Sequence, residues 1–273
     1  MKKLTIMLAA VLLAACGNNE RLTETDLSKY FKGIDGTAVF YNPAVGEYKV
    51  YNRELSQKRS SPCSTFKIMS SYIALAENIA TPQSPKIPHN GNRYQYPQWN
   101  KDMNLQEAFK TSCVWYFRAL IDRIPPKRVK DFLRRFQYGN QDISDWRGDQ
   151  NTNTDLPELK GFWIESSLQI SPLEQVQVLA RLFREKSPAA ETLKNLMLVT
   201  DTPVKIYGKT GLGIKDDRVR NAWFVGFCER DGKKVFFAVR LNDSENPIAD
   251  YRHQASRYAK EIALDIIKNA DIF

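Results

Sequence analysis

The sequence has few of the residues from which metal centres and disulfide scaffolds are built. It holds 2 histidines and 4 cysteines in 273 residues. His89 and His253 stand alone and outside any spacing typical of metal ligands, so we predict no metal site. No repeat or glycine-serine linker follows the first twenty-odd residues, and one compact unit is expected. We find no nucleic-acid-binding module, although Lys+Arg 40 against Asp+Glu 31 gives a net charge of +9. Most of that surplus is expected on solvated helix surfaces.

The first apolar run is too short to cross a bilayer. Met1-Lys2-Lys3 precedes about a dozen mostly apolar residues, whereas a spanning helix needs roughly twenty. This pattern is typical of an export signal that is later removed. Leu13-Ala14-Ala15-Cys16 resembles the lipobox of bacterial lipoproteins. It predicts cleavage before Cys16, acylation of that cysteine, and an exported protein held at a membrane by lipid. An ordinary signal peptide with an incidental cysteine is the alternative.

This reading divides the chain into three parts. Residues 1–15 are the predicted signal peptide, residues 16–27 a polar tether and residues 28–273 a single catalytic domain. Three cysteines remain beyond the tether, and an odd number cannot all pair within one chain. We therefore predict free, mostly buried thiols at Cys63, Cys113 and Cys228, with one disulfide among them as the alternative. The sequence does not fix the oligomeric state.

Strand patterns occur at both ends of the chain, with helical patterns between them. β-Branched and aromatic residues at 36–41 and 47–51 flank a turn and predict a hairpin. The remaining segments follow from the spacing of apolar residues. Helices are predicted at residues 64–80, 105–124, 126–136 and 172–183, strands at 204–209, 221–229 and 233–241, and a last amphipathic helix from about residue 250.

This order of elements predicts an α+β fold. Strands from the two chain ends combine in one antiparallel sheet with flanking helices, and the middle of the chain forms a mainly helical lobe. The sheet lobe covers about residues 28–60 and 200–273, and the helical lobe about residues 61–199. An active-site cleft is expected between the lobes.

Ser64-Thr65-Phe66-Lys67 places a hydroxyl and an amine on one face of a predicted helix, at its start. A serine hydroxyl becomes a nucleophile when a base removes its proton, and lysine is such a base when its pKa is lowered. Free N–H groups at a helix start can also stabilise a negative oxygen. Alone, the same spacing is equally typical of a capping serine followed by a surface lysine.

Lys209-Thr210-Gly211 follows at the end of the predicted strand 204–209. Alternation along a strand puts Lys209 and Gly211 on one face, and a glycine lets a ligand lie close to the strand. A cation, a hydroxyl and an open edge suit a substrate that carries a carboxylate. Alone, the triplet is also typical of a strand end and a turn.

These motifs together resemble the class D, or oxacillinase-type, serine β-lactamases of the penicillin-binding-protein superfamily. The resemblance covers about residues 30–270. Residues 141–161 form a longer stretch than the family usually has, so the shape of that loop is expected to differ. The matching motifs, in chain order, are Ser64-Thr65-Phe66-Lys67, Ser112-Cys113-Val114, Tyr138-Gly139-Asn140, the stretch from Phe162 to Ser171, and Lys209-Thr210-Gly211.

The resemblance implies a set of catalytic roles. Ser64 is the implied nucleophile, and Lys67 is the implied general base after reversible N-carboxylation by CO2 from bicarbonate, with no other cofactor. Ser112 is implied to relay a proton to the leaving nitrogen, and the backbone N–H groups of Ser64 and Leu212 to form the oxyanion hole. The implied lysine pocket consists of Phe66, Val114, Trp163 and Ile164, with the Trp163 indole N–H holding the carbamate.

The implied substrate is a β-lactam, bound through Lys209, Thr210 and Gly211 and through an arginine assigned to Arg252. A proline-containing loop precedes Arg252, so Arg218, Arg220 and Arg240 remain alternatives for the carboxylate-binding arginine. The implied function is hydrolysis of the β-lactam amide, a cyclic amide, through a Ser64 acyl-enzyme. The alternatives are a β-lactam sensor domain, or a penicillin-binding transpeptidase or carboxypeptidase, that acylates without fast turnover.

Overall fold

The structure is a computed structural model that describes residues 11–12, 20–216, 218–242 and 251–273. For residues 11–12 and 251–253 it describes the backbone alone. The predicted lipidation site, Cys16, lies outside the described residues. Among the helices in the described ranges, none is long and apolar enough to span a membrane.

Helices and strands of the described residues follow the predicted order. The strands are β1 (Val11–Leu12), β2 (Arg21–Glu24), β3 (Gly36–Asn42), β4 (Glu47–Tyr51), β5 (Leu198–Asp201), β6 (Lys205–Lys215), β7 (Arg218–Arg230) and β8 (Lys233–Asn242). The helices are α1 (Ser28–Phe31), α2 (Arg53–Gln57), α3 (Phe66–Ala76), α4 (Leu105–Thr111), α5 (Val114–Ile121), α6 (Pro126–Phe136), α7 (Pro172–Arg184), α8 (Pro188–Leu196) and α9 (Tyr251–Asn269).

One sheet combines strands from both ends of the chain, as predicted. Across the described residues its order is β1-β2-β4-β3-β8-β7-β6-β5. The pairs are antiparallel except β2 with β4, which run parallel. β2 falls within the stretch predicted to be a tether, and its Leu22 is buried. The α+β fold with an antiparallel sheet is confirmed.

Alternation along the central strands builds a core on each face of the sheet. Ala38 and Phe40 of β3 face the terminal helix α9 and share a cluster with its Ala259 and Ile266. Val39 and Tyr41 of the same strand belong to a second cluster with the helical lobe. The sheet is therefore covered on both sides, and the helical lobe packs against the face opposite α9.

The predicted helix at 105–124 is wrong in one respect, because it is two helices. α4 begins at a capping box made by Asn104 and Glu107 and ends at Ser112, whose φ is 56°. Its last turn is closed by a hydrogen bond from the Cys113 N–H to the Ala108 carbonyl, 2.9 Å. The break contains no Gly or Pro, and apolar residues keep their helical spacing across it. The sequence pattern therefore did not indicate that the helix ends there.

The motif Tyr138-Gly139-Asn140 docks the end of α6 onto residues 167–170. α6 itself ends at Phe136, two residues before the motif begins, with a left-handed cap at Gln137. Gly139 has φ +51°, and a Cβ there would lie 1.9 Å from the Gln169 carbonyl oxygen. Asn140 donates through Nδ2 to the Ser167 carbonyl at 2.8 Å. Only glycine fits the second position of this motif.

Candidate active site

Ser64 sits in the 3-10 turn Cys63–Thr65, which leads directly into α3. Cys63 adopts a left-handed φ of 48°, and its N–H donates to the Trp163 carbonyl at 2.8 Å. The next side chain, Thr65, accepts a buried hydrogen bond from Gln175 Nε2 of α7 at 2.8 Å. These contacts fix the turn on both sides and leave Ser64 half-buried, within reach of a ligand.

Lys67 lies one turn after Ser64, as the spacing predicted. Its Nζ is 2.7 Å from Ser64 Oγ and 3.3 Å from Ser112 Oγ. The side chain is 0 % exposed. Burial lowers the pKa of Lys67 to about 7, a shift that the nearby thiols of Cys113 and Cys63 partly oppose. A large fraction of Lys67 is therefore neutral at physiological pH and able to accept a proton.

The pocket around Lys67 is mostly aromatic. Phe66 stacks on Trp163 with ring centroids 5.6 Å apart, and the Phe117 ring lies 5.5 Å from Lys67 Nζ. Val114 and Ile164 are partly buried against the same core. The indole Nε1 of Trp163 is buried and has no hydrogen-bond partner among the described residues. The aromatic cluster that adjoins Lys67 through Phe66 thus contains a buried donor without an acceptor.

Ser112 stands between two buried lysines. Its Oγ is 3.0 Å from Lys209 Nζ and 3.3 Å from Lys67 Nζ. Burial, together with the charge of Lys67, holds the pKa of Lys209 well below its usual range. Both amines can exchange protons with the Ser112 hydroxyl. The left-handed backbone of Ser112 at the break between α4 and α5 sets the position of that hydroxyl. An anion bound beside Lys209 would favour its charged form.

The strand that carries Lys209 extends further than predicted. Lys209-Thr210-Gly211 lies in the middle of β6, not at its end, because pairing with β7 continues through Gly213. A Cβ on Gly211 would lie 3.0 Å from the Pro62 carbonyl oxygen and from Thr65 Cγ2. The space above Gly211 is thus taken by the turn that carries Ser64, whereas the sequence argument reserved it for a ligand.

One edge of β6 offers N–H groups near Ser64. The Gly208 N–H donates away from β7, to the Met197 carbonyl at 2.8 Å. Because N–H directions alternate along a strand, those of Thr210 and Leu212 point to the same edge. β5 pairs with β6 at residues 205–207, before this stretch. The Leu212 N–H therefore points away from β7, on the edge next to the Ser64 turn.

A cleft of about 850 Å³ opens beside Lys209 and Thr210. Its described lining includes Lys110, Lys209 and Lys260 and no carboxylate. The wall is otherwise partly apolar, with Phe109 and Leu198 among its residues. Such a lining favours an anionic ligand with an apolar body, and the cleft meets the site at Lys209 and Thr210, because Ser64, Lys67 and Ser112 are not among its lining residues.

The arginines proposed for the substrate carboxylate lie in different places. Arg252 belongs to the first turn of α9, and its side chain is outside the described part of the chain. Arg240 is 1 % exposed and donates to the backbone carbonyls of Lys58 and Leu55, so it does not reach the cleft. Arg220 pairs with Asp216 at 3.1 Å.

Sequence reasoning assigned no role to three residues near the site. Phe117 follows Val114 by three positions and so shares a face of α5 with a residue already assigned to the lysine pocket, a spacing that could have identified it. Glu165 and Asn221 join in a hydrogen bond of 3.0 Å beside the turn of Ser64. They come from a loop and from β7, and no local pattern links them. The three cysteines Cys63, Cys113 and Cys228 are free and buried, as predicted.

Comparison with known proteins gives the family. A family model described as the penicillin-binding protein transpeptidase domain matches residues 36–268. The methicillin resistance mecR1 protein of Staphylococcus aureus is 34% identical over 244 residues, which are 87% of this chain and 40% of that protein. The chain thus spans about two fifths of that relative's length.

Solved structures agree with this match. The C-terminal domain of the Bacillus licheniformis BlaR penicillin-receptor has a TM-score of 0.78 at 30% identity, covering 92% of this chain and 97% of that one. A class D β-lactamase from Bacillus subtilis has a TM-score of 0.76 at 30% identity, covering 91% and 97%. The resemblance inferred from the short motifs is confirmed: the chain belongs to the penicillin-binding protein transpeptidase family, among the class D β-lactamases and their receptor-domain relatives.

Proposed function

We propose that this chain is a serine β-lactamase that opens the β-lactam amide through an acyl-enzyme on Ser64. The carrying observation is the buried amine of Lys67, with a pKa of about 7, held 2.7 Å from Ser64 Oγ. A lysine that is largely neutral at this distance is a base for the serine hydroxyl. The similarity to class D β-lactamases over nearly the whole chain supports the same conclusion.

Acylation uses groups that are already close together. Lys67 accepts the Ser64 proton while Oγ attacks the lactam carbonyl, and the N–H groups of Ser64 and Leu212 stabilise the oxyanion. The carbon–nitrogen bond then breaks, and Ser112 passes a proton to the leaving nitrogen. Lys67, 3.3 Å from Ser112, resupplies that hydroxyl with the proton taken from Ser64 and becomes neutral again, while Lys209, 3.0 Å from the same hydroxyl, holds it in place. In hydrolysis, water attacks the ester, neutral Lys67 takes the proton of that water, and the proton then passes to Ser64 Oγ as the ester bond breaks.

The pocket also suits N-carboxylation of Lys67. Addition of CO2 needs a neutral amine, and the lowered pKa supplies one. The unpartnered Nε1 of Trp163 is a donor for a carbamate oxygen, and burial protects the product from water. When present, a carbamate supplies a carboxylate-type base in both half-reactions. Phe66, Val114 and Ile164 would line it.

Substrate binding follows from the charge of the cleft. The β-lactam carboxylate lies by Lys209 and Thr210, where the described lining has no competing carboxylate. Arg252 is the first candidate for a bidentate grip on the same group, as guanidinium geometry favours, with Arg218 and Arg220 as the alternatives. Export and acylation at Cys16 complete the proposal and would place the enzyme at a membrane surface, where β-lactams are encountered outside the cytoplasm.

A β-lactam sensor is the second candidate, favoured by the mecR1 and BlaR matches. Both functions share acylation of Ser64 and differ in hydrolysis of the ester. The distinguishing experiment mixes the protein with nitrocefin in CO2-free buffer and in buffer with added bicarbonate. A β-lactamase turns over many equivalents, faster with bicarbonate. A single burst equal to the protein concentration in both buffers would contradict the enzyme and support the sensor.

Trp163→Phe tests the carboxylation step in the same assay. The phenylalanine keeps an aromatic ring against Phe66 and removes Nε1. We expect turnover to fall by about ten- to a hundredfold, with partial recovery at high bicarbonate. Trp115→Phe is the matched control, because Trp115 Nε1 donates to the Trp99 carbonyl at 3.0 Å and not toward Lys67. Equal turnover and an equal bicarbonate response in both variants would contradict the proposal that Trp163 Nε1 donates to the carbamate.

A further inference from the structure

Glu165 is a partly buried carboxylate that the proposed chemistry does not use. One of its oxygens, Oε1, accepts from Cys63 Sγ at 3.3 Å and from Asn221 Nδ2 at 3.0 Å. The Glu165 N–H donates to Ser61 Oγ at 2.8 Å, and its φ is 47°. A carboxylate with a strained backbone and two buried donors is held in one orientation.

The same oxygen also presses against β6. An ideal Cβ on Gly213 would clash with Glu165 Oε1 and lie 2.7 Å from Asn221 Nδ2, so a side chain there would displace these groups. Asn221 is the cross-strand partner of Gly213, and the register of β6 and β7 shifts just after this pair. Glu165 therefore contacts the strand at the point where its regular pairing ends.

These contacts reach both halves of the oxyanion hole. Cys63 immediately precedes Ser64, whose N–H is one proposed donor. Gly213 immediately follows Leu212, whose N–H is the other. One carboxylate oxygen thus links the residues next to the two donors, although they are about 150 positions apart in the sequence.

We propose that Glu165 is a positioning residue that sets the separation of the Ser64 and Leu212 N–H groups. The inference rests on the proposed function, since these groups matter only if Ser64 is acylated. Catalysis at an oxyanion hole depends on donors placed before the reaction, so a small displacement lowers the acylation rate without weakening initial binding. Burial raises the pKa of the Glu165 carboxyl, which agrees with its enclosed place behind the turn.

The first test compares Glu165→Ala with Glu165→Gln. Rapid mixing with nitrocefin gives the dissociation constant and the acylation rate constant separately. We expect Glu165→Ala to lower the rate constant by about tenfold or more and leave the dissociation constant within about threefold, since removal of an oxyanion donor costs more. Glu165→Gln keeps an acceptor oxygen and should recover most of the rate.

Glu185→Ala is the matched control. Glu185 also joins two side chains, accepting from Tyr72 at 2.9 Å and from Arg135 at 2.8 Å, but it lies away from the turn of Ser64. It should lower the melting temperature and leave acylation unchanged. Acylation at the wild-type rate in Glu165→Ala, with only a lower melting temperature, would show that Glu165 merely stabilises the fold.

The second test couples Glu165 to Gly213. Gly213→Ala introduces the methyl group that meets Oε1, and we expect about tenfold slower acylation. Glu165→Ser removes the nearest clash and releases Asn221 Nδ2, which lies 2.7 Å from the new methyl group, from its acceptor, so Gly213→Ala should cost less in that background than in the wild type. Equal costs in both backgrounds would overturn the inference, even if Glu165→Ala does not fold. Absence of any wild-type adduct on Ser64 by mass spectrometry would instead overturn the proposed function, and this inference with it.

Discussion

Two buried basic side chains, Lys67 of α3 and Arg240 of β8, differ in their charge at neutral pH. Lys67 and Arg240 are 0 % and 1 % exposed. Burial lowers the pKa of Lys67 to about 7, whereas that of Arg240 falls only to about 10, with the charge of Asp35 opposing the shift. Arg240 therefore stays charged at neutral pH, and Lys67 is poised to lose its proton.

Their partners differ as much as their side chains. Arg240 donates to two backbone carbonyls, at 2.7 Å to Lys58 and 3.2 Å to Leu55, and lies over the Trp223 ring. A carbonyl can only accept, so these partners require a donor. Lys67 meets the hydroxyls of Ser64 and Ser112, which can accept from an ammonium or donate to an amine. Burial alone does not make a basic side chain a catalytic base. The side chain also needs hydrogen-bond partners, such as hydroxyl groups, that suit both its charged and its neutral form.

The strongest test of this contrast is Lys67→Met, which keeps the volume and removes the amine. We expect acylation by nitrocefin to fall by about three orders of magnitude or more, because Ser64 loses its base. The melting temperature should hold or rise, since an apolar pocket gains an apolar side chain. Lys67→Arg, which cannot lose its charge, should be equally inactive and less stable. Fast acylation in either variant would refute Lys67 as the base.

The reciprocal change is Arg240→Met. Two carbonyls lose their charged donor, and we expect the free energy of unfolding to fall by about 2–4 kcal/mol in urea titrations. The acylation rate of the folded fraction should be unchanged. Lys127→Ala is the control for loss of a cation as such, because that side chain is 86% exposed, and it should have no measurable effect on either quantity. Slower acylation in folded Arg240→Met would place this arginine in the site after all.

The smallest effect is the dependence on pH. Only the neutral amine can accept a proton or add CO2, so the acylation rate constant should rise about tenfold per pH unit below about 7 and level off above it. Stopped-flow rates between pH 5 and 9 measure this, with Lys67→Met as a baseline that lacks the inflection. A profile that falls through pH 7 would mean that the protonated amine is the active form.

Much of the fold was readable from local patterns. The hairpin of β3 and β4, helix α6 and the last helix were predicted nearly to the residue, because each has a clear period and a turn or proline at its ends. The break at Ser112 was not, since it depends on a left-handed serine that only tertiary packing supports. β5 and α8 were also missed, because both are short and partly exposed.

The residues of the site also fall into those that could be named from the sequence and those that could not. Ser64, Lys67 and Ser112 were named from short motifs, and the structure brings Lys67 within hydrogen-bond distance of both serines. Lys209 joins them through Ser112. Phe117 was not named although it shares a face of α5 with Val114, whereas the roles of Glu165 and Asn221 depend on how a loop and a strand fold over the Ser64 turn. Catalytic roles for all these residues remain predictions for the experiments above.

The close contact at Gly139 affects how the chain tolerates substitution. Its missing Cβ lets the backbone approach the Gln169 carbonyl closely, and it has no side chain that could take part in proton transfer. In a library of all single substitutions selected on a β-lactam antibiotic, changes at Gly139 would be lost alongside changes at Ser64. Survival alone would therefore not distinguish Gly139, which the fold requires, from Ser64, the proposed nucleophile. Separate measurements of protein abundance and of activity per folded molecule would distinguish the two positions.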